Sequence, residues 1–293
     1  MIFDNLNGNT AGREENECID AARRLDAFAG YVAEYLALQG AGQEWKTIYF
    51  DGFAGSGARR EVRKALYEEL KFTPSEEIGY KGAAERVMAL EQGFDYYYFV
   101  DDHQSLVKLK EKLGALPETG RKRMIFRPED CNGELDRLAD AMRSDEFATL
   151  LFLDPVGFSI GWPSIARFSG TRTDLWLVIP TGTVVNRLLD AGGNLEGFSR
   201  LEVLTGLARD EMMDVLVHAE KNPGLFEEKT VMEKIDSSLY RIVCLYQYQL
   251  SRKWKYVTGV PSVLRSGRNV PLCTFLCATD NKTVYDMAGM IVH

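Results

Sequence analysis

Four short runs of β-branched, aromatic and leucine residues each stop on a carboxylate, and amphipathic segments separate them. Thr47-Ile48-Tyr49-Phe50 runs into Asp51, Tyr96 to Val100 into Asp101-Asp102, Met124 to Phe126 towards Glu129-Asp130, and Thr149 to Leu153 into Asp154-Pro155. A fifth run, Asp174 to Pro180, is apolar enough to be buried on both faces. Between them, Leu106, Leu109 and Leu113 share one helical face, as do Leu135, Leu138 and Met142. A first crossover helix is expected around Ala83 to Glu91. Strands alternating with helices in this way predict a parallel α/β sheet. Parallel strands present their carboxyl ends to one edge, so the acids at these ends are expected to converge there.

The flanks add two elements. Ile19, Leu25, Phe28, Val32, Tyr35 and Leu36 predict an opening helix over 14–38 that stops at Gly40 to Gly42. Late in the chain, Val231, Ile235, Leu239, Ile242, Tyr246 and Leu250 predict one long helix. After it, Tyr256 to Leu264 and Pro271 to Thr279 flank Ser266-Gly267-Arg268-Asn269 and read as a terminal hairpin. The chain of 293 residues is read as a single domain over 1–293, with an N-terminal helical segment to 44, an insertion and first crossover helix over 58–93, and a helical segment over 195–255 before the hairpin.

Composition excludes several functions. Hydrophobic residues at 45 % and charged residues at 27 % argue against disorder. The net charge of -8 provides no global attraction for nucleic acid, so any phosphate-binding surface has to be local. The longest apolar runs are far too short to span a bilayer, and Met1 to Asn16 lacks the order of a signal peptide. Cys18, Cys131, Cys244, Cys273 and Cys277 are odd in number and lack a C-x2-C, and with three histidines they give no zinc spacing. Reduced thiols and a cytoplasmic location are expected.

The turn after the first strand, Asp51-Gly52-Phe53-Ala54-Gly55-Ser56-Gly57, lets the backbone pass close to a nucleotide-like ligand. An acid at the next strand end accepts ribose hydroxyls, which makes Asp101 the ribose candidate. A dinucleotide fingerprint fits less well. The third glycine is missing from Gly55-Ser56-Gly57-Ala58-Arg59-Arg60, and Asp101 lies well beyond the usual ~20 residues. A tight turn with no ligand remains the plain alternative. Asp102 and Glu129 are read as helix caps or turn formers.

Asp51 to Gly57 resembles motif I of class I S-adenosylmethionine (SAM) methyltransferases, in the FAGSG form of base-amino methyltransferases. The order of Asp51 to Gly57, Val100-Asp101-Asp102, Glu129-Asp130-Cys131-Asn132, Phe152-Leu153-Asp154-Pro155-Val156-Gly157, and Asp174-Leu175-Trp176 through Asn186-Arg187 resembles the three-Cys-motif partner (TcmP) family over roughly residues 14–290. Val156 stands where that family has an aromatic, and Glu129 where it has a glycine.

The resemblance implies a Rossmann-like class I methyltransferase sheet, mostly parallel, with an antiparallel C-terminal hairpin strand and helices on both faces. It further implies SAM as cofactor and a three-Cys-motif protein as partner. Phe53, Ala54, Gly55 and Gly57 would hold the methionine moiety, and Asp51 its ammonium, directly or through water. Asp101 would take the ribose, and Asp130 with Cys131 the adenine edge. Asp154 and Pro155 occupy the place where amino methyltransferases bind an exocyclic amine, with Phe158 as a stacking ring. Asn186 and Arg187 would bind substrate or close their loop.

Arg252, Lys253, Lys255, Arg265 and Arg268 interleave with Trp254 and Tyr256, with no acid between 252 and 268. They read as a local nucleic-acid contact or as a solvated helix end. The expected activity is methyl transfer to a nitrogen of a nucleobase. The alternatives are a SAM-fold partner module without turnover, and a small-molecule or peptide methyltransferase.

Overall fold

The computed structural model describes residues 11–40, 44–55, 82–116, 122–155, 159–180, 197–220, 231–259, 264–265 and 271–292; at some element ends, Leu264–Arg265 among them, it describes the backbone alone. The strands are β1 (Lys46–Asp51), β2 (Tyr96–Val100), β3 (Arg123–Arg127), β4 (Phe147–Leu153), β5 (Thr173–Pro180), β6 (Tyr256–Val257), β7 (Leu264–Arg265) and β8 (Pro271–Thr279). The helices are α1 (Ala11–Gln39), α2 (Ala83–Met88), α3 (His103–Gly114), α4 (Cys131–Ala141), α5 (Trp162–Ala166), α6 (Phe198–Thr205), α7 (Arg209–Glu220), α8 (Val231–Ser251) and α9 (Lys282–Val292).

The strands form one mixed sheet in the order β3-β2-β1-β4-β5-β8-β6, with β7 also on β8. β1 to β5 run parallel, and β8 is antiparallel to β5, β6 and β7. β1 pairs with β2 on one side and β4 on the other, so the chain reverses its direction of travel across the sheet at β1/β4. In an open α/β sheet the crevice at such a point is where ligands bind.

Both faces of the sheet are covered because side chains alternate along a strand. Ile48, Phe50, Leu151, Leu153, Leu175, Leu177 and Leu276 point to the layer that holds α4 to α8. Tyr49, Tyr97, Phe99, Leu150, Phe152, Trp176, Phe275 and Cys277 point to the layer of α1, α2, α3 and α9. That second layer is aromatic. Trp176 meets Phe28, Tyr31 and Phe275 edge-on, at centroid distances of 5.5, 4.9 and 6.3 Å. Edge-to-face pairs of this kind add about 0.5–1.5 kcal/mol each beyond the area they bury.

The C-terminal region departs from expectation in two ways. Tyr256 to Leu264 is not one hairpin strand: β6 and β7 are separate two-residue strands, and both pair with β8. The chain also continues into helix α9, which the sequence reading omitted. Its signals are Asn281, whose side chain accepts from Thr283 N at 2.9 Å, and the spacing of Val284, Met287, Ala288 and Ile291. α7 falls within the helical segment expected over 195–255, and the joint before it is sharp. Gly206 closes α6 at φ +67, and a Cβ there would lie 2.2 Å from Trp162 Cδ1. Gly206→Ala combines left-handed strain with overpacking, so chemical denaturation should show a loss of about 2 kcal/mol.

Candidate functional site

The turn after β1 is tied by three hydrogen bonds to the ends of two strands. Gly52 N donates to Phe152 O at 3.1 Å, Ala54 N to Val100 O at 3.1 Å, and Gly55 N to the Asp101 carboxylate at 2.8 Å. The backbone thus crosses from the end of β4 to the end of β2. It does so at close range: a Cβ on Gly52 would come within 2.7 Å of Cys131 Sγ and 2.8 Å of Leu153, and one on Gly55 within 2.3 Å of Ser105 Cβ. Only glycine fits at either position.

Asp51 lies beneath this turn and is 1 % exposed. Phe53 N donates to its Oδ1 at 3.1 Å and the Tyr49 hydroxyl to its Oδ2 at 3.4 Å. In this structure Asp51 pins the turn; a ligand ammonium would have to be met through an intermediary. Asp101 is half-buried, and besides Gly55 N it accepts from Asp102 N at 2.8 Å. Asp102 is the N-cap of α3, accepting from Gln104 N and Ser105 N, and its short bond with the Ser105 hydroxyl lowers its pKa. The capping role expected of it holds.

Asp130 is exposed and caps α4 through Gly133 N at 3.1 Å; Cys131 follows as the first helical residue and is buried. Burial raises the Cys131 thiol pKa, and the negative fields of Asp130, Asp51 and Asp101 raise it further. Asp51, Asp101 and Asp130, from three different strand ends, thus act together with Glu134 of α4 to keep this thiol neutral. Glu129 is exposed.

Asp154 and Pro155 follow β4 directly. Asp51 is in register with Phe152, so Asp154 extends two residues beyond the level of Asp51. Pro155 is buried and, with Ile160, Ile165, Leu177, Ile179 and Tyr246, lines a small apolar gap of about 10 Å³ at the carboxyl end of β5, room for one water and no more. Burial holds the Tyr246 hydroxyl above its ordinary pKa. Sequence reading had given Asn132 no role of its own, yet it joins the two halves of this edge. Gly161 N donates to Asn132 Oδ1 at 2.8 Å, and Asn132 Nδ2 donates to Ser159 O at 2.9 Å.

Gly57, Phe158, Asn186, Arg187 and Arg268 lie outside the described residues, as does most of the 58–93 insertion; Arg265 is described only as a β7 backbone position. The cationic cluster needs one correction. Trp254 is 2 % exposed and donates from Nε1 to Thr173 O at 3.1 Å, so it is a core residue and offers no ring to a base. Arg252 pairs with Glu211 at 2.6 Å, whereas Lys253 and Lys255 are exposed. Among the described residues, no group of histidines, cysteines and acids forms a metal cage, and no helix is long and apolar enough to cross a membrane.

No protein-family model matches the chain, and no curated protein matches it. Among solved structures, a crystal structure of a Legionella pneumophila protein under the family model DUF519 is similar at 16 % identity and a TM-score of 0.34, covering 62 % of this chain and 71 % of that one.

Proposed function

We propose that this chain is a class I, Rossmann-like SAM-dependent methyltransferase whose acceptor is a nitrogen of a nucleobase. The observation that carries the reading is the convergence of Asp51, Asp101, Asp130 and Cys131 on a glycine turn at the β1/β4 reversal. The strand order, with β8 antiparallel beside β5, is consistent with the sheet that the sequence resemblance implies.

The residues present fit the group. A turn with no room for a side chain at Gly52 or Gly55 leaves backbone, and not bulk, beside the ligand. Asp101 would accept from the ribose, Asp130 from the adenine amino group, and Cys131, held as a neutral thiol, would lie against the ring. SAM, when bound, supplies a sulfonium methyl as the electrophile. Asp154 and the Pro155 carbonyl would orient an acceptor amine by accepting its protons, which aims the nitrogen lone pair. A three-Cys-motif protein partner is part of the same proposal, because it rests on the same motifs.

SAM at 100 times its Kd should stabilise the fold by about 2.7 kcal/mol. Thermal melts and titration calorimetry read this directly, and Asp101→Ala should lose most of the response. Absence of any shift at millimolar SAM, with Asp101→Ala behaving as wild type, would defeat the reading and leave the acids as turn formers.

A further inference from the structure

Asn132 makes two hydrogen bonds that no sequence pattern announced. It is the second residue of α4, directly after the cap Asp130 and the buried Cys131. Its amide oxygen accepts from Gly161 N at 2.8 Å, and its amide nitrogen donates to Ser159 O at 2.9 Å. One planar side chain thus holds both ends of the segment that leads into α5. Ile160, between those two points, is buried and lines the small apolar gap with Pro155. On the SAM reading, Asp130 and Cys131 at the first turn of α4 belong to the cofactor, and the Ser159–Gly161 segment, which follows Asp154 and Pro155 in the same β4–α5 connection, belongs to the acceptor.

We infer that Asn132 is a positioning residue that couples cofactor occupancy to the acceptor side of the site. The inference rests on the SAM-binding reading above. A ligand held by Asp130 and Cys131 fixes the first turn of α4, and Asn132, one residue on, transmits that order to Ser159 and Gly161 through its two bonds. Coupling of this kind arises when one ligand orders what the next must meet. It makes binding ordered: the Ser159–Gly161 segment takes its final form after the cofactor arrives. The alternative is that the amide only staples two loops, with no dependence on ligand.

Hydrogen exchange with SAM as the probe separates these cases. In the wild-type protein, SAM should slow exchange of the amides at Gly52 to Gly55, at Asn132 to Gly133 and at Ile160 to Gly161, the last by about tenfold. Asn132→Ala removes both bonds and should retain SAM protection at the first two places while losing it at Ile160 to Gly161. Asn132→Asp keeps the acceptor for Gly161 N but sets a carboxylate against Ser159 O, so it should restore protection only in part. A melt of each variant without ligand establishes that it is folded.

Equal SAM-dependent protection of Ile160 to Gly161 in wild type and Asn132→Ala overturns the coupling and leaves SAM binding standing. Protection at Gly52 to Gly55 with none at Ile160 to Gly161 in the wild type overturns it as well. If SAM changes exchange nowhere, the cofactor reading itself fails and the coupling falls with it.

Discussion

Replacing Asp154 by alanine is expected to lower methyl transfer by about 10²- to 10⁴-fold while SAM affinity changes little, the loss typical of a positioned polar group at the reacting centre. The reason is its position. β4 lies directly beside β1, Gly52 N is bonded to Phe152 O, and Asp154 stands two residues further along, past the end of the strand. A carboxylate there stands beyond the strand end, next to the turn, and Asp101 is bonded to the turn itself through Gly55 N. Tritium transfer from labelled SAM to DNA and RNA oligonucleotides, alongside calorimetry and a melt of each variant, measures both quantities. Full activity in Asp154→Ala, or a loss of SAM binding as deep as that of Asp101→Ala, would assign Asp154 to the turn or the cofactor side.

What could be read from sequence followed from periodicity. The alternation Ile48/Phe50 against Tyr49, repeated at Leu151/Leu153 against Leu150/Phe152, is the burial pattern of a two-faced sheet, and it divides cleanly between the two layers. Strand ends were legible too, because Asp101, Asp130 and Asp154 interrupt apolar runs. The roles at those ends were harder to separate. An N-cap and a ligand-binding acid look alike in sequence, and Asp130 stands at a helix cap while also lying in the candidate site.

Long-range effects escaped the reading altogether. Trp254 sits among cations in sequence, yet its indole reaches Thr173 O across the fold, and nothing local signals that. Asn132 closed the segment Glu129-Asp130-Cys131-Asn132 without a role of its own; its partners lie on a loop in the next βα unit. The helix α9 was missed for a different reason. Its capping Asn281 and its apolar spacing were visible, but the hairpin pattern before it read as a chain end.

Stability should fall as pH rises from 4 to 7, by about 3 kcal/mol attributable to one residue, Asp174. It opens the apolar part of β5 on the side covered by α1, is 8 % exposed, and accepts a short hydrogen bond from the Thr279 hydroxyl. Among the described residues, the ionisable groups that act on it or that it acts on are Tyr31, Tyr35, Cys277 and Asp280, none of which is cationic. Burial therefore dominates and raises its pKa from 3.8 to about 6, with Thr279 opposing. The Tyr35 hydroxyl is near enough to oppose it further, but it has no partner in hydrogen-bond geometry, so Thr279 is the firm donor. An acid whose folded pKa is raised works opposite to a salt-bridged one. Between its unfolded value near 3.9 and about 6, the native state holds a proton that the unfolded state has released, so stability declines with each unit of pH. Above about 6 both states are ionised and the full cost of burying the charge is present. Asp174→Asn keeps the shape and an acceptor for Thr279, so it should match wild type near pH 4 and exceed it by about 3 kcal/mol at pH 7. Urea unfolding of both proteins across this range isolates the residue, because every other carboxylate contributes equally to the two curves. Parallel curves would mean that Asp174 titrates in the native state as it does in the unfolded chain, with solvent reaching it beneath α1.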